Sequence, residues 1–147
     1  MERLSAMRIL VVEDNPDDAE AVERLARRGK GTFEVQIASS GAAALELLAS
    51  AVDLPELILL DLSLPGISGL EVLARLKTTA AWCDIPVIVL SGSERDEDVV
   101  VACERGAHSH FLKPMSQRDF DWIRSSLLHY RRTVRALAGL ENLVEVE

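Results

Sequence analysis

The sequence predicts a doubly wound α/β fold, in which a sheet of five parallel strands is covered by helices on both faces. Five short apolar runs predict the strands, at residues 8–12, 33–37, 57–60, 86–90 and 109–112. A segment with helical spacing follows each run, and the first, third and fourth runs are continuous in Ile, Leu and Val. Continuous apolar strands are typical of parallel sheets that are buried on both faces. The 147 residues, 48% of them hydrophobic, make one ordinary domain.

The helix starts are marked by capping residues. Asn15 followed by Pro16 supplies a cap and then a proline for the first turn of the first helix. Three later segments resemble capping boxes: Ser68-x-x-Glu71, Ser93-x-x-Asp96 and Ser116-x-x-Asp119. These local signals agree with the spacing of the strands, and such agreement is a property of sequences that specify one fold.

The last helix is predicted to be longer than the sheet can cover. Residues 117–138 contain neither proline nor glycine, and at about 1.5 Å per residue they would reach about 33 Å, whereas a typical strand spans about 17–20 Å. A heptad seam runs along this helix through Phe120, Ile123, Leu127, Tyr130, Val134 and Leu137. We expect a homodimer through Ile123, Leu127, Val134 and Leu137, and the alternative is that the extension folds back on its own domain.

The composition argues against a nucleic-acid partner. The formal net charge is -8, whereas nonspecific affinity for nucleic acid comes largely from Lys and Arg side chains that neutralise phosphates. The apolar run that ends at Val12 is too short for a secretory signal or a bilayer span. Cys83 and Cys103 lie far apart and give little support for a disulfide framework or a zinc site. We expect a cytoplasmic protein with no nucleic-acid and no membrane partner.

Charged and hydroxyl side chains lie at the ends of four predicted strands. Glu13 and Asp14 follow the first strand, Asp61 the third, Ser91 ends the fourth and Lys113 follows the fifth. Because the carboxyl ends of parallel strands meet at one edge of the sheet, we expect these side chains to converge there. Two carboxylates about 4 Å apart repel by about 4 kcal/mol at an effective dielectric of about 20, so the group needs a cation or protons. Oxygen ligands on loops suit Mg²⁺.

Asp61 is the candidate acceptor in a phosphoryl transfer. A carboxylate can take up a phosphoryl group as a mixed anhydride that is easily hydrolysed. The charge on the transferred oxygens needs donors that are already in position, and the Lys113 ammonium and the Ser91 hydroxyl would supply them. Gly92 leaves the approach open.

Four segments around these residues match one family pattern. They are Val11-Val12-Glu13-Asp14-Asn15, residues 59–69 around Asp61, Val89-Leu90-Ser91-Gly92, and Phe111-Leu112-Lys113-Pro114. With their matching spacings they make the chain resemble the receiver domains of two-component response regulators over residues 8–128. The resemblance implies a flavodoxin-like sheet with the strand order 2-1-3-4-5.

The resemblance also implies the chemistry of a receiver. Asp61 would accept a phosphoryl group from a histidine kinase or a histidine phosphotransferase. Mg²⁺ would be held by Asp14, Asp61 and the backbone carbonyl of Ser63, with Glu13 acting through a metal-bound water. Enzymatic activity would be limited to self-phosphorylation and autodephosphorylation.

The output implied by the resemblance is a changed binding surface. Phosphorylation would draw Ser91 inward and repack the face of the fourth helix, fifth strand and fifth helix, which a downstream protein target would read. The residue three before Lys113, usually Tyr or Phe in this family, is His110 here. We expect a receiver at residues 1–128 and a helical extension at 129–147 without an output domain, as in stand-alone regulators such as the partners of phytochrome-type kinases.

Several alternatives stay open at this point. A phosphatase or phosphotransferase of the haloacid-dehalogenase kind also uses an aspartate nucleophile, but it needs a second aspartate where Ser63 stands. A flavodoxin-like nucleotide binder would share the fold, and a pseudo-receiver would act as a dimer scaffold without being phosphorylated. His108 and His110 lie two apart on a strand, but no third ligand indicates a metal site there.

Overall fold

The computed structural model describes residues 6–28, 33–92 and 97–146, and for residues 134–146 it describes the backbone alone. Strands and helices alternate along the described part of the chain. Their order is β1 (Met7–Val12), α1 (Pro16–Arg28), β2 (Phe33–Ala38), α2 (Gly41–Ser50), β3 (Leu57–Asp61), α3 (Gly69–Thr78), β4 (Val87–Ser91), α4 (Glu97–Glu104), β5 (Ser109–Leu112) and α5 (Gln117–Val146). The five predicted strands agree with these bounds to within one residue at each end.

The five strands form one sheet in the order β2-β1-β3-β4-β5, and every neighbouring pair is parallel. The strand order therefore reverses next to β1, because β2 lies on one side of it and β3 on the other. All the strands end at the same edge, which we call the carboxyl edge, and they begin at the opposite edge, the amino edge. The predicted doubly wound, flavodoxin-like fold and its strand order are confirmed.

The central strands carry the core. Every residue of β3 and of β4 is buried, as expected for parallel strands that are covered on both faces. One apolar cluster joins alternate residues of β1, β3 and β4 to residues of α2, α3 and α4. On the other face of the sheet, Val11 and Leu90 line a small cleft together with Val22 and Leu25 of α1. Burial of each Leu, Ile or Val side chain contributes roughly 1.5–3 kcal/mol.

Side-chain caps fix where the helices start. The Asn15 carboxamide oxygen accepts from the Asp17 and Asp18 backbone N–H groups at 2.9 and 3.3 Å. The Ser68 hydroxyl accepts from the Glu71 N–H at 3.2 Å, as its capping box predicts. The α2 cap, in which Ser40 accepts from the Ala43 N–H at 3.0 Å, is one that the sequence analysis did not find. The predicted box at Ser93-x-x-Asp96 lies outside the described residues.

The chain divides into two compact units, Met1–Met115 and Ser116–Glu147. The second unit consists mainly of α5, which continues past the predicted end at Ala138 and through Gly139 to Val146. Its first turn has a reciprocal capping box: the Asp119 carboxylate accepts from the Ser116 N–H at 3.0 Å, and the Ser116 hydroxyl accepts from the Asp119 N–H at 3.1 Å. The predicted boundary between residues 128 and 129 falls inside this continuous helix.

The seam predicted along α5 is buried at its start within the single chain. Ile123 and Leu127 have relative exposures of 1% and 7%, so these two predicted dimer residues offer little surface to a second copy. The other two, Val134 and Leu137, lie where side chains are not described. The homodimer stays a prediction. Among the described residues, no helix combines the length and the apolar character needed to cross a bilayer.

Candidate functional site

The carboxyl edge brings together four of the predicted site residues. Asp61 is the last residue of β3 and Ser91 the last of β4, while Glu13 follows β1 and Lys113 follows β5. Asp61, Ser91 and Glu13 are the buried polar or charged residues of the described core, with exposures of 2%, 1% and 3%. Sequence reasoning placed these residues at the strand ends, and the parallel sheet delivers them to one edge.

Backbone hydrogen bonds continue the sheet past the ends of the strands. The Glu13 N–H donates to the Ala38 carbonyl at 3.0 Å, and the Lys113 N–H donates to the Ser91 carbonyl at 2.8 Å. Both candidate site residues are therefore still held in the hydrogen-bonding pattern of the sheet where their side chains leave it. The Lys113–Pro114 peptide bond is cis.

The Lys113 ammonium is the centre of the site. Its Nζ lies 2.6 Å from Glu13 Oε1, 2.8 Å from Asp61 Oδ2 and 3.5 Å from Asp18 Oδ2. The Glu13 and Asp61 side chains are each 2% exposed, whereas that of Asp18 is 47% exposed. The Asp18 contact was missed by the sequence analysis, because the sequence places Asp18 in the first turn of α1 but does not give the direction of its side chain.

The loop after β3 holds the other oxygen of Asp61. The Ser63 backbone N–H donates to Asp61 Oδ1 at 2.9 Å. The start of α3 packs closely against this loop, because a Cβ atom on Gly69 would lie 2.6 Å from the Asp61 carbonyl oxygen and 2.6 Å from Leu62 Cα. The close packing of α3 against the candidate acceptor loop therefore requires glycine at position 69. The Asp61 carboxylate accepts from the Ser63 N–H with one oxygen and from Lys113 with the other.

The two buried carboxyl groups have pKa values that are shifted in opposite directions. Burial, together with a hydrogen bond to Asp61, raises the pKa of Glu13 from 4.5 to about 8. Burial also tends to raise the pKa of Asp61, but hydrogen bonds with Glu13, Lys113 and the Ser63 N–H outweigh it and lower that pKa. Burial tends to lower the pKa of Lys113, but its bonds to Asp61 and Glu13 raise it overall. At neutral pH, Asp61 is an ionised carboxylate beside an ammonium.

The acidic residues have the composition of a site for a hard divalent cation. Glu13, Asp14 and Asp61 each offer a carboxylate oxygen, and these three oxygens lie within 4.8 Å of one another. Glu13 Oε2 is buried without a hydrogen-bond partner in the described structure. An unsatisfied buried oxygen next to further carboxylates fits an oxygen-liganded ion such as Mg²⁺.

The remaining predicted residues lie near the edge or on its neighbouring surface. Ser63 is exposed on the loop after β3, and the Ser91 side chain is buried at the end of β4. His110 is exposed on β5, with Leu112 on the same face. His108 precedes β5 and donates its backbone N–H to the Val87 carbonyl at 2.8 Å, at the amino edge of the sheet. The two histidines form no metal group with a third ligand among the described residues.

Comparison with known proteins defines the class of this site. The sequence-family model of the response regulator receiver domain matches residues 9–121 of this chain. The chain belongs to the receiver-domain family of two-component response regulators.

Individual relatives place the chain within this family. It is 40% identical to the nitrate/nitrite response regulator NarL of Escherichia coli K12 over 111 residues, which are 76% of this chain and 50% of that protein. The chain thus spans about half the length of NarL.

Two solved structures of phytochrome-associated regulators are also similar. The bacteriophytochrome response regulator AtBRR is 32% identical, with a TM-score of 0.74, and the match covers 84% of this chain and 94% of that one. The phosphorylated cyanobacterial phytochrome response regulator RcpA is 28% identical, with a TM-score of 0.72, and the match covers 82% and 91%. The structural neighbours of this chain therefore include regulators of the phytochrome type.

Proposed function

We propose that this receiver takes up a phosphoryl group on Asp61 from the phosphohistidine of a histidine kinase or a histidine phosphotransferase. The observation that carries the proposal is the contact between the Lys113 ammonium and Asp61 Oδ2 at 2.8 Å, in a site where the Asp61 side chain is 2% exposed. A buried, ionised carboxylate next to a fixed cation is a nucleophile whose local charge is already partly offset. The similar regulator RcpA, whose structure is of the phosphorylated form, supports the same chemistry.

The proposed transfer has a defined balance of atoms and electrons. An Asp61 carboxylate oxygen attacks phosphorus, the P–N bond to the donor imidazole breaks, and its electron pair stays on the imidazole nitrogen, which then takes up a proton. The product is an aspartyl phosphate. Lys113 and the Ser91 hydroxyl would bind the transferred oxygens.

A divalent ion fits this proposal without changing the roles of the side chains. Asp14, Asp61 and the Ser63 carbonyl would hold Mg²⁺, and Glu13 would act through a metal-bound water. When bound, Mg²⁺ would offset the negative charge of the carboxylates and of the phosphoryl oxygens. Glu13 Oε2 is buried and has no hydrogen-bond partner in the described structure. We propose that an acidic residue stands at position 13 because it helps to hold the ion.

The output would be a change in a binding surface that a downstream protein reads. Ser91 and His110 are the proposed switch residues, the first buried at the end of β4 and the second exposed on β5. Phosphorylation would shift the balance between two packings of this region instead of creating a new one. An exposed imidazole at position 110 would make the switch less apolar than the Tyr or Phe usual in the family.

Incubation with acetyl phosphate and Mg²⁺, followed by intact-protein mass spectrometry, tests the proposal. We expect one phosphoryl group per chain, none in Asp61→Asn, and loss of the adduct in hydroxylamine. Rapid release of phosphate with many turnovers would favour the haloacid-dehalogenase alternative. No adduct in the wild-type chain would favour the pseudo-receiver scaffold and overturn the assignment of Asp61.

The organisation of the chain is also a proposal. We infer a receiver at residues 1–128 followed by a helical extension at 129–147, a cytoplasmic location, and a homodimer formed along α5. Because Ile123 and Leu127 are buried in the single chain, the dimer would have to rest on Val134 and Leu137. Sedimentation at micromolar concentration tests it: a dimer that Leu137→Glu dissociates supports the proposal, and a wild-type monomer overturns it.

A further inference from the structure

The Lys113 ammonium has a third acidic neighbour that the proposed chemistry does not use. Asp18 Oδ2 lies 3.5 Å from Lys113 Nζ, compared with 2.6 and 2.8 Å for the Glu13 and Asp61 oxygens. Asp18 is not part of the group of three carboxylates that fits a metal ion. It nevertheless lines one small cleft, of about 30 Å³, together with Glu13 and Lys113.

The position of Asp18 is defined by the start of α1. Its backbone N–H is bound by the Asn15 side chain at 3.3 Å, and it stands in the first turn of the helix beside Asp17. Its side chain is 47% exposed, so it is the solvent-facing member of the three acids around Lys113. A negative charge is therefore held at the rim of the site, next to the cation that would meet an incoming phosphoryl group.

A structural role explains this contact poorly. A separation of 3.5 Å is long for a charge-assisted hydrogen bond, and a half-exposed ion pair contributes between about 0 and 1 kcal/mol to stability. The charge itself reaches further than the hydrogen bond. It offsets part of the positive field of Lys113 on the side that solvent reaches and repels anions that approach from there.

We propose that Asp18 determines donor specificity by disfavouring small, free phosphodianions as phosphoryl donors. This inference rests on the proposed phosphorylation of Asp61. A free donor such as acetyl phosphate reaches the site by diffusion, and its encounter depends on the field at the rim. A phosphohistidine on a protein is positioned by the contacts between the two proteins, and these can offset the repulsion from one carboxylate.

The chain offers a matched pair of substitutions for the test. Asp18→Asn keeps the shape of the side chain and an oxygen that can accept from Lys113, so it removes the charge alone. Asp17→Asn removes the same charge from the same helical turn, but adjacent helix positions point about 100° apart, and Asp17 is exposed. Both variants lose the same favourable interaction with the helix dipole, so a difference between them is local to Lys113.

The rate of Asp61 phosphorylation is measured against acetyl phosphate concentration at saturating Mg²⁺, with intact-mass detection. For Asp18→Asn we expect the KM to fall about threefold while the maximal rate changes by less than about twofold. The shift in KM should shrink at high salt and with phosphoramidate, which carries less negative charge. Asp17→Asn should leave the KM near the wild-type value, and Asp18→Glu should retain it.

The possible outcomes separate the inference from the function on which it rests. If the wild-type chain takes no phosphoryl group, both the function and the inference fall. If the wild type is phosphorylated but Asp18→Asn has an unchanged or higher KM, the inference alone is overturned. A lower maximal rate with an unchanged KM also overturns it, because Asp18 would then position Lys113 instead of screening the donor.

Discussion

Two lysines at opposite edges of the sheet place their ammonium groups in different surroundings. At the carboxyl edge, Lys113 contacts the Asp61 and Glu13 carboxylates at 2.8 and 2.6 Å. At the amino edge, Lys77 in the last turn of α3 donates to two backbone carbonyls, those of Cys83 at 3.3 Å and Ile85 at 3.2 Å. Lys113 forms its contacts with acidic side chains, whereas Lys77 donates its hydrogen bonds to neutral carbonyl groups.

The partners decide what each lysine can do. The carboxylates raise the pKa of Lys113 in spite of its burial, whereas burial lowers the pKa of Lys77 more than the nearby Cys83 and Asp84 raise it. Lys113 contacts both buried carboxyl groups and helps to keep Asp61 ionised. Lys77 fixes the turn that leads into β4. A buried ammonium therefore indicates chemistry only when the groups around it are themselves reactive.

The largest expected effect is on phosphoryl transfer at the carboxyl edge. Lys113→Met should lower the rate of Asp61 phosphorylation about 100-fold or more, because a preorganised donor to the developing charge is lost. Lys77→Met, which removes a lysine of similar burial from the amino edge, should change that rate by less than about twofold. Both rates are measured with acetyl phosphate and Mg²⁺ by intact mass. Equal losses in the two variants would remove the distinction between the edges.

The second effect is a pH dependence of stability that belongs to the carboxyl edge. Between the ordinary pKa of Glu13 at 4.5 and its folded value of about 8, the folded chain holds a proton that the unfolded chain has released. The free energy of unfolding contributed by Glu13 should therefore fall as pH rises through this window, by at most about 1.4 kcal/mol per pH unit for one proton. Denaturant unfolding of the chelator-treated protein at pH 5 to 8 measures it.

A matched variant isolates this effect from other groups. The pKa of His108 is lowered by burial and by Lys77, so His108 contributes an opposite slope, in which stability is lost as pH falls through its ordinary value of 6.5. The pKa of Asp61 is lowered from 3.8 and that of Lys113 is raised from 10.5, so these two groups change the stability only at pH values outside the window from 5 to 8. The difference between wild type and Glu13→Gln cancels the His108 contribution. A difference that stays constant from pH 5 to 8 would contradict the raised pKa of Glu13.

The contrast between the edges also explains what could be predicted from the sequence. Asp61 and Ser91 were found because each ends a continuous apolar strand, and the parallel sheet fixes where such ends lie. The Lys77 contacts leave no comparable signal, since they depend on the path of the turn between α3 and β4. The Asp18 contact depends on the direction of a helical side chain. On α5, heptad spacing identified Ile123 and Leu127 as apolar contacts, but it cannot tell burial within the chain from burial between chains.

The smallest expected effect is the loss of stability when the amino edge loses its lysine. Lys77→Met keeps the apolar stem that packs beside Gly106, whose added Cβ would lie 3.4 Å from the Lys77 Cδ and Cε atoms. It removes the donor to two carbonyls, so we expect a loss of about 1–2 kcal/mol and a fall in Tm of roughly 3–8 °C. Arg75→Met is the control, because Arg75 is exposed in the same last turn and shares the interaction with the helix dipole.

A second readout of Lys77→Met tests the electrostatic side of the same prediction. Lys77 is the charged group that, after burial, lowers the pKa of His108. Lys77→Met should therefore raise the pKa of His108 part of the way towards 6.5, whereas Arg75→Met should leave it unchanged. NMR titration of the His108 imidazole measures both. If stability falls but the His108 pKa does not move, Lys77 acts through its hydrogen bonds to the turn alone. If neither changes, the amino edge does not depend on its lysine, and the comparison with Lys113 fails on that side.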